Sequence, residues 1–237
     1  MDIPAITKEQ MQEVDHLMID VYGIQLIQMM ENAGRHLARL TKDKFLNGAP
    51  IDKTVLLLAG SGGNGGGGLV AARWLSNWGA KVQVYTTRPD ADFKGVPGHQ
   101  LTILRRMGLP IAQAGEFEAL SHADVLIDAI IGYSLNETPR GQEAHLIRLA
   151  NATESPILSL DVPSGMEAST GVTFSPSIRA SATLTLALPK TGLFTKSARA
   201  STGELYLADI CVPPQLYKGI GISVGPIFSR DQIIKLS

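Results

Sequence analysis

Apolar and polar positions alternate along this chain with two different periods, and the change of period divides it. Thr7 with Gln10 forms a TxxQ capping box, after which Met11, Val14, Leu17 and Met18 fall at helical spacing, predicting a first helix. Gly23 interrupts it, and Leu26, Met30, Ala33, Leu37 and Leu40 then place one apolar stripe on a second helix. Within that stripe Met29 and Met30 read as core, while Glu31 and Asn32 read either as solvent-facing or as aimed at a site. From Val55 onward short apolar runs alternate with amphipathic ones. Val55 to Ala59, Val82 to Tyr85, Asp124 to Ala129 and Ile157 to Asp161 read as buried strands; Leu69 to Trp78, Pro97 to Met107 and Gln142 to Ala150 read as the helices between them. Ala182 to Leu188 and Glu204 to Ile210 read as further strands extending one edge. Near-continuous apolar strands separated by helices predict an α/β fold with a mostly parallel sheet covered on both faces.

The first of these strands runs into LLAGSGGNGGGGL, Leu57 to Leu69. Glycine reaches positive φ without steric cost and lets peptide N–H groups converge, and a following helix N-terminus adds its dipole, so the stretch reads as a phosphate or carboxylate cradle. Gly60, Gly62 and Gly65 satisfy GxGxxG between a strand and a helix. An ordinary NAD site also places an acid about 20 residues on, at the next strand end, to hold the ribose. Here that end reads Thr86, Thr87, Arg88, a tip without a carboxylate and tolerant of phosphate. No GK[ST] follows the glycines, which removes the P-loop reading.

Charge and composition narrow the classes. The 237 residues carry 21 Lys+Arg against 22 Asp+Glu, a net charge of −1 with no basic run, so neither nucleic acid nor an anionic membrane is an expected partner. Length accommodates one large domain, and no linker-like stretch divides residues 1–237. The lone Cys211, read as a buried structural thiol, forms no internal disulfide, and the polar start MDIPAITKEQ lacks the plan of a signal peptide, which together fit a cytoplasmic compartment. The scattered histidines form no HExxH, and no GxSxG surrounds a serine.

Ligands of open α/β sheets bind outside the carboxyl ends of the strands. At those ends stand the glycine loop, Asp128 with the loop Gly132 to Gly141, Asp161 with Pro163, Ser164 and Gly165, and Lys190. Two acids and a lysine gather at one rim beside the cradle.

MENAG at Met30 to Gly34, GNGGGGLVAARWL at Gly63 to Leu75, DAIIG at Asp128 to Gly132, SLDVPSGMEASTG at Ser159 to Gly171, and LALPKTGL followed by GELYLADI resemble, in order and over nearly the whole chain, the N-terminal domain of the YjeF family, the NAD(P)H-hydrate epimerases. The resemblance implies a three-layer αβα, Rossmann-like domain with N-terminal helices, in the stand-alone form, dimeric, working alongside a separate dehydratase. It implies interconversion of the R and S epimers of NADHX and NADPHX, nicotinamide nucleotides hydroxylated at C6. It further implies a potassium ion on Asn64, Asp128 and Ser164, substrate contacts from Gly63, Asn64, Gly65, Gly66 and Gly67, from Gly132, Tyr133, Ser134, Leu135, Asn136, Glu137 and Thr138, and from Asp161. An ion-bound carboxylate is a poor base, so Asp161 is the expected acid/base and Asp128 the ion ligand.

The sequence also departs from the family pattern. The cradle that usually reads NNGGDG has Gly63 for its first Asn and Gly67 for its Asp. The loop that usually reads GTGLxRxxRG has Tyr133, Ser134 and Glu137 for the Thr, Gly and first Arg, keeping Arg140 and Gly141. A second reading is therefore a relative that binds a nucleotide-like ligand or a protein partner without turnover.

Overall fold

The computed structural model describes residues 3–237; Met1 and Asp2 of the polar start lie outside the described residues. Eight strands form one sheet in the order β3-β2-β1-β4-β5-β6-β7-β8: β1 (Thr54–Ala59), β2 (Lys81–Thr86), β3 (Ile111–Gln113), β4 (Val125–Ala129), β5 (Ile157–Leu160), β6 (Ala182–Leu186), β7 (Glu204–Ala208) and β8 (Ile233–Lys235). All neighbours are parallel except β7 and β8. The carboxyl ends of the parallel strands thus share one edge of the molecule. The hydrophobic pattern does not mark the two short strands β3 and β8, which are three residues each and at most half-buried.

Helices α1 (Lys8–His16, continuing as a π-helical turn Leu17–Val21), α2 (Leu26–Leu40), α3 (Gly63–Asn77), α4 (Gly95–Arg106), α5 (Gly141–Ala152), α6 (Arg199–Thr202) and α7 (Pro214–Gly219) complete the fold. The capping box at Thr7 and Gln10 forms as its spacing predicts. Strand β1 feeds two cores at once: Val55, Leu57 and Ala59 pack with Leu37 of α2, Leu69 of α3 and Leu104 of α4, while Leu56 and Leu58 pack with Leu146 and Ile147 of α5. That alternation produces three layers. A third cluster joins α1 to α7 through Val14, Met18, Met29, Leu216 and Tyr217 and carries α1 over the strand ends. No helix among the described residues is long and apolar enough to cross a membrane.

The glycine run differs from its expectation. Helix α3 begins at Gly63, six residues before Leu69, and no glycine from Gly60 to Gly68 has a positive φ. What requires glycine there is close approach. A Cβ on Gly66 would lie 2.6 Å from Met30 Sδ and one on Gly68 2.5 Å from Ala129 Cβ, so α3 sits directly on α2 and β4. Tertiary contact overrides the low helix propensity of the run.

Cys211 is also placed differently. β7 ends at Ala208, and a turn in which the Cys211 N–H donates to Asp209 Oδ1 at 2.7 Å leaves Cys211 exposed at φ +67°. Glu31 is neither free in solvent nor in the cavity described below: Arg73 at 2.5 Å and Gln100 at 3.0 Å donate to its carboxylate. Asn32 donates to the Ile210 carbonyl at 3.5 Å.

Candidate active site

Two cavities open side by side at the carboxyl edge and share Gly63, Asn64, Gly132 and Ser134 in their walls. The first, about 270 Å³, runs between α1, α2 and the ends of β5 and β6; Met29, Met30, Gly67, Tyr133, Asp161 and Lys190 line it. The second, about 350 Å³, lies over the turn after β1 and the tip of β2, against Gly62, Thr87, Arg88, Leu135, Glu137, Thr138 and Arg140.

The turn after β1 is as tight as backbone permits. A Cβ on Gly60 would fall 2.0 Å from the Ile130 carbonyl oxygen and one on Gly65 1.7 Å from that of Gly60. The first helical bond of α3 runs from Gly66 N–H to Gly62 O, and the Gly63, Asn64 and Gly65 N–H groups have no acceptor among the described residues. Free amides and the positive end of a long helix dipole make the shared wall an anion seat.

At the floor of the first cavity, Asp161 stands just past β5 with φ +69°, a conformation uncommon for a non-glycine residue. Its carboxylate accepts from the Tyr133 N–H at 3.1 Å and from Thr185 Oγ1 at 3.4 Å, and it forms an ion pair with Lys190. Lys190 Nζ also donates to the Leu186 carbonyl at 3.0 Å and lies 5.8 Å from the Tyr133 ring centroid. Both charges are buried.

Asp128 and Ser164 lie behind this floor and line neither cavity. Asp128 is fully buried and accepts from Ser159 Oγ at 2.8 Å, Ser164 N at 2.9 Å, Ser164 Oγ at 2.5 Å and Ile130 N at 3.3 Å. Burial pushes its carboxyl above the usual range, and these hydrogen bonds pull it back. Ser164 Oγ accepts from Ile131 N at 2.9 Å, one residue from Gly132, on which the Asn64 side chain packs. Gly65, Gly66 and Asn136 line neither cavity.

Two residues of α1 complete the site and were not singled out in the sequence. Lys8 is buried, and its ammonium group donates to the Ser134 and Leu135 carbonyls at 3.1 and 3.4 Å and to Asn136 Oδ1, tying down the loop over the cavities. Asp15 lines the first cavity and accepts from the Tyr133 hydroxyl. In the second cavity the cations are matched: Arg88 pairs with Glu143 at 3.3 Å and Arg140 with Glu137 at 3.0 Å. The Thr87 hydroxyl, also in that wall, is buried without a partner among the described residues.

The family model for the YjeF-related protein N-terminus matches residues 26–192, which include the glycine turn, Asp128, Asp161 and Lys190. The chain belongs to this family. Within the YjeF-type proteins it is 45% identical over 93% of its length to a protein named NAD(P)H-hydrate epimerase from Dehalogenimonas lykanthroporepellens, covering 87% of that relative. A relative of the same name from Rhodopirellula baltica is 32% identical over 94% of the chain and is covered to 90%. In Moorella thermoacetica the YjeF-type match, 36% identical, takes up 41% of a longer protein named bifunctional NAD(P)H-hydrate repair enzyme Nnr. The crystal structure of yeast ynu0 superposes with a TM-score of 0.79 at 25% identity, covering 99% of this chain and 100% of that one. That likeness agrees with the Rossmann-like αβα architecture built above.

Proposed function

We propose that the protein is an NAD(P)H-hydrate epimerase, interconverting the R and S forms of hydrated NADH and NADPH. The observation that carries the reading is the double cavity: one end closes on a buried carboxylate–lysine pair, the other runs past a helix N-terminus with free amides, and the two are contiguous. A dinucleotide offers a reacting ring to the first and phosphates to the amides between them. Relatives named for this activity, at up to 45% identity, support it.

The chemistry asks little beyond charge and proton handling. C6 of the hydrate is a carbinolamine carbon, so the ring nitrogen expels the oxygen as hydroxide, which a proton from the site converts to water, and a planar cation remains. Water then re-enters from either face. Asp161, at the floor of the ring cavity, takes the proton of the incoming water, and its charge stabilises the cation as it forms. The neighbouring Lys190 holds that carboxylate in place.

A potassium ion belongs to this reading, on Asn64, Asp128 and Ser164. Three observations support the fit: the donors are hard oxygens, Asp128 is buried without a cationic side chain bonded to it among the described residues, and the Asn64 amide nitrogen is buried without a partner, so half a turn of the amide presents its oxygen at that point. When bound, the ion would offset the buried negative charge of Asp128. The reading also takes a homodimer, and a dehydratase as the partner activity; the longer relatives named bifunctional support the latter.

The test is chromatographic conversion of purified R-NADPHX to its S epimer, with uncatalysed epimerisation subtracted, for the wild type, Asp128→Asn and Gly67→Asp. Gly67 lines the ring cavity, and a Cβ there meets Leu160 Cδ2 at 3.0 Å, so the aspartate requires only a small shift of a leucine. Turnover in the wild type that Asp128→Asn abolishes is expected. Turnover only in Gly67→Asp would instead establish a binding relative that has lost the reaction. The ion is tested by melting temperature: potassium chloride should stabilise the wild type relative to an equal concentration of tetramethylammonium chloride, and Asp128→Asn should not respond.

A further inference from the structure

The ring cavity contains a second carboxyl, and one tyrosine connects it to the first. Tyr133 donates its backbone N–H to Asp161 Oδ2 at 3.1 Å and its phenol to Asp15 Oδ2. The two acids therefore stand at opposite ends of a single tyrosine, both in the wall of the same cavity.

The surroundings of the two acids differ. Asp161 has the buried ammonium of Lys190 bonded to it, whereas Asp15 forms no ion pair among the described residues. Burial pushes the Asp15 carboxyl up, the Tyr133 hydrogen bond and Lys190 pull it down, and Asp161 adds to the upward push. Two carboxyls in one cavity whose environments diverge in this way make a donor and an acceptor. Epimerisation needs both, because oxygen leaves from one face of the ring and returns to the other.

We propose that Asp15 is the second proton carrier of the reaction, the acid on one face of the ring while Asp161 is the base on the other, with Tyr133 as the residue that positions it. This rests on the epimerase reading above. As the C6–O bond breaks, Asp15 gives its proton to the departing oxygen, which leaves as water, and the nitrogen lone pair forms the C=N bond. Asp161 then takes a proton from the entering water as its oxygen bonds to C6 and the C=N electrons return to nitrogen. The net change is one proton moved from Asp15 to Asp161. The reverse epimerisation moves it back, and exchange with solvent resets it.

The experiment is kcat and KM against pH, on R-NADPHX, for the wild type, Asp15→Asn, Asp15→Glu and Tyr133→Phe. The groups facing Asp15 are Tyr133, Asp161 and Lys190 in the cavity and Tyr217 from α7. An acid must be protonated, so wild-type kcat falls as pH rises through its titration. Asp15→Asn should lose about 100-fold or more in kcat, with KM changed less than about threefold, and should lose that high-pH limb. Asp15→Glu should restore part of the rate and the limb. Removing the phenol removes a bond that favours the ionised form, so Tyr133→Phe should move the limb to higher pH; this arm decides the matter if Asp15→Asn does not fold. Retention of wild-type kcat by Asp15→Asn, or an unmoved high-pH limb in Tyr133→Phe, overturns the assignment and leaves the epimerase reading standing. A wild type without turnover overturns both.

Discussion

Lys190 Nζ and the Asp161 carboxylate meet where neither side chain reaches solvent, 0% and 4% exposed respectively. Removing one partner of such a pair leaves an uncompensated buried charge, at a cost of about 3–5 kcal/mol. Lys190→Met should therefore unfold at markedly lower urea than the wild type, and adding Asp161→Asn to it should recover a large part of the loss. Urea titration of the two single variants and the double variant measures this. Equal stability of Lys190→Met and the double variant would show that the pair does not set the stability of the floor.

Lys8 acts at a distance in sequence from the loop it holds. Its ammonium group replaces water for three oxygens of residues 134–136, so Lys8→Met releases the loop without touching either acid. Hydrogen bonds to a charged group are worth about 1.5–3 kcal/mol, which corresponds to about a tenfold or greater rise in KM for a ligand that needs the loop in place. Hydrogen exchange of residues 132–138 should accelerate in parallel. Unchanged exchange with a raised KM would assign Lys8 a direct role in binding instead.

These two lysines show which parts of the site were legible in the sequence. Parallel strands buried on both faces read as apolar runs, so β1, β2, β4, β5, β6 and β7 were located within a few residues, and with them the strand ends that carry Asp128, Asp161 and Lys190. Lys8 and Asp15 sit on an amphipathic helix, where a charged residue reads as solvent-facing. Their partners, Ser134 and Tyr133, lie 126 and 118 residues away. Only the packing of α1 on α7 and α2 turns that polar face inward. The glycines mark a close backbone approach, but not through the positive φ expected of them. Propensity predicts a loop with positive φ, whereas contact with Met30, Ala129 and Leu57 makes them the first turns of a helix.

Alanine substitution along that turn separates the two reasons. In a helix alanine is favoured over glycine by about 1 kcal/mol, and crowding a packed site costs about 1–3 kcal/mol. At Gly67 the nearest atom to a new Cβ is a leucine methyl at 3.0 Å, so the two effects nearly cancel. At Gly65 it is a backbone oxygen at 1.7 Å, which cannot move without opening the turn. Gly67→Ala should melt within about 3 °C of the wild type and Gly65→Ala about 4–8 °C below it, from the upper crowding cost less the helix gain at about 2–4 °C per kcal/mol for a chain of this size. A Gly65→Ala protein that melts with the wild type would mean that the turn after β1 is not held as tightly as its geometry indicates.

His36 of α2 gives the fold a dependence on pH that is independent of the active site. It is buried, its Nδ1 has no hydrogen-bond partner among the described residues, and burial, followed by the charges of Arg35 and Arg39, lowers its pKa from 6.5 to about 4, with Asp231 opposing. Because the folded value is depressed, the unfolded chain binds this proton first as pH falls. The neutral imidazole thus contributes stability that is present in full above about pH 6.5, is lost progressively as pH falls toward 4, and changes no further below that. The difference between the two values corresponds to about 3 kcal/mol. His36→Leu removes both the titration and the unpaired nitrogen, so the stability of the wild type relative to His36→Leu should fall by about that amount between pH 7 and pH 4. Carboxylates that titrate over the same range are common to both proteins and cancel in the comparison. A difference that stays constant with pH would show that the imidazole takes up its proton equally in the folded and unfolded chain, which requires solvent or a partner at its buried nitrogen.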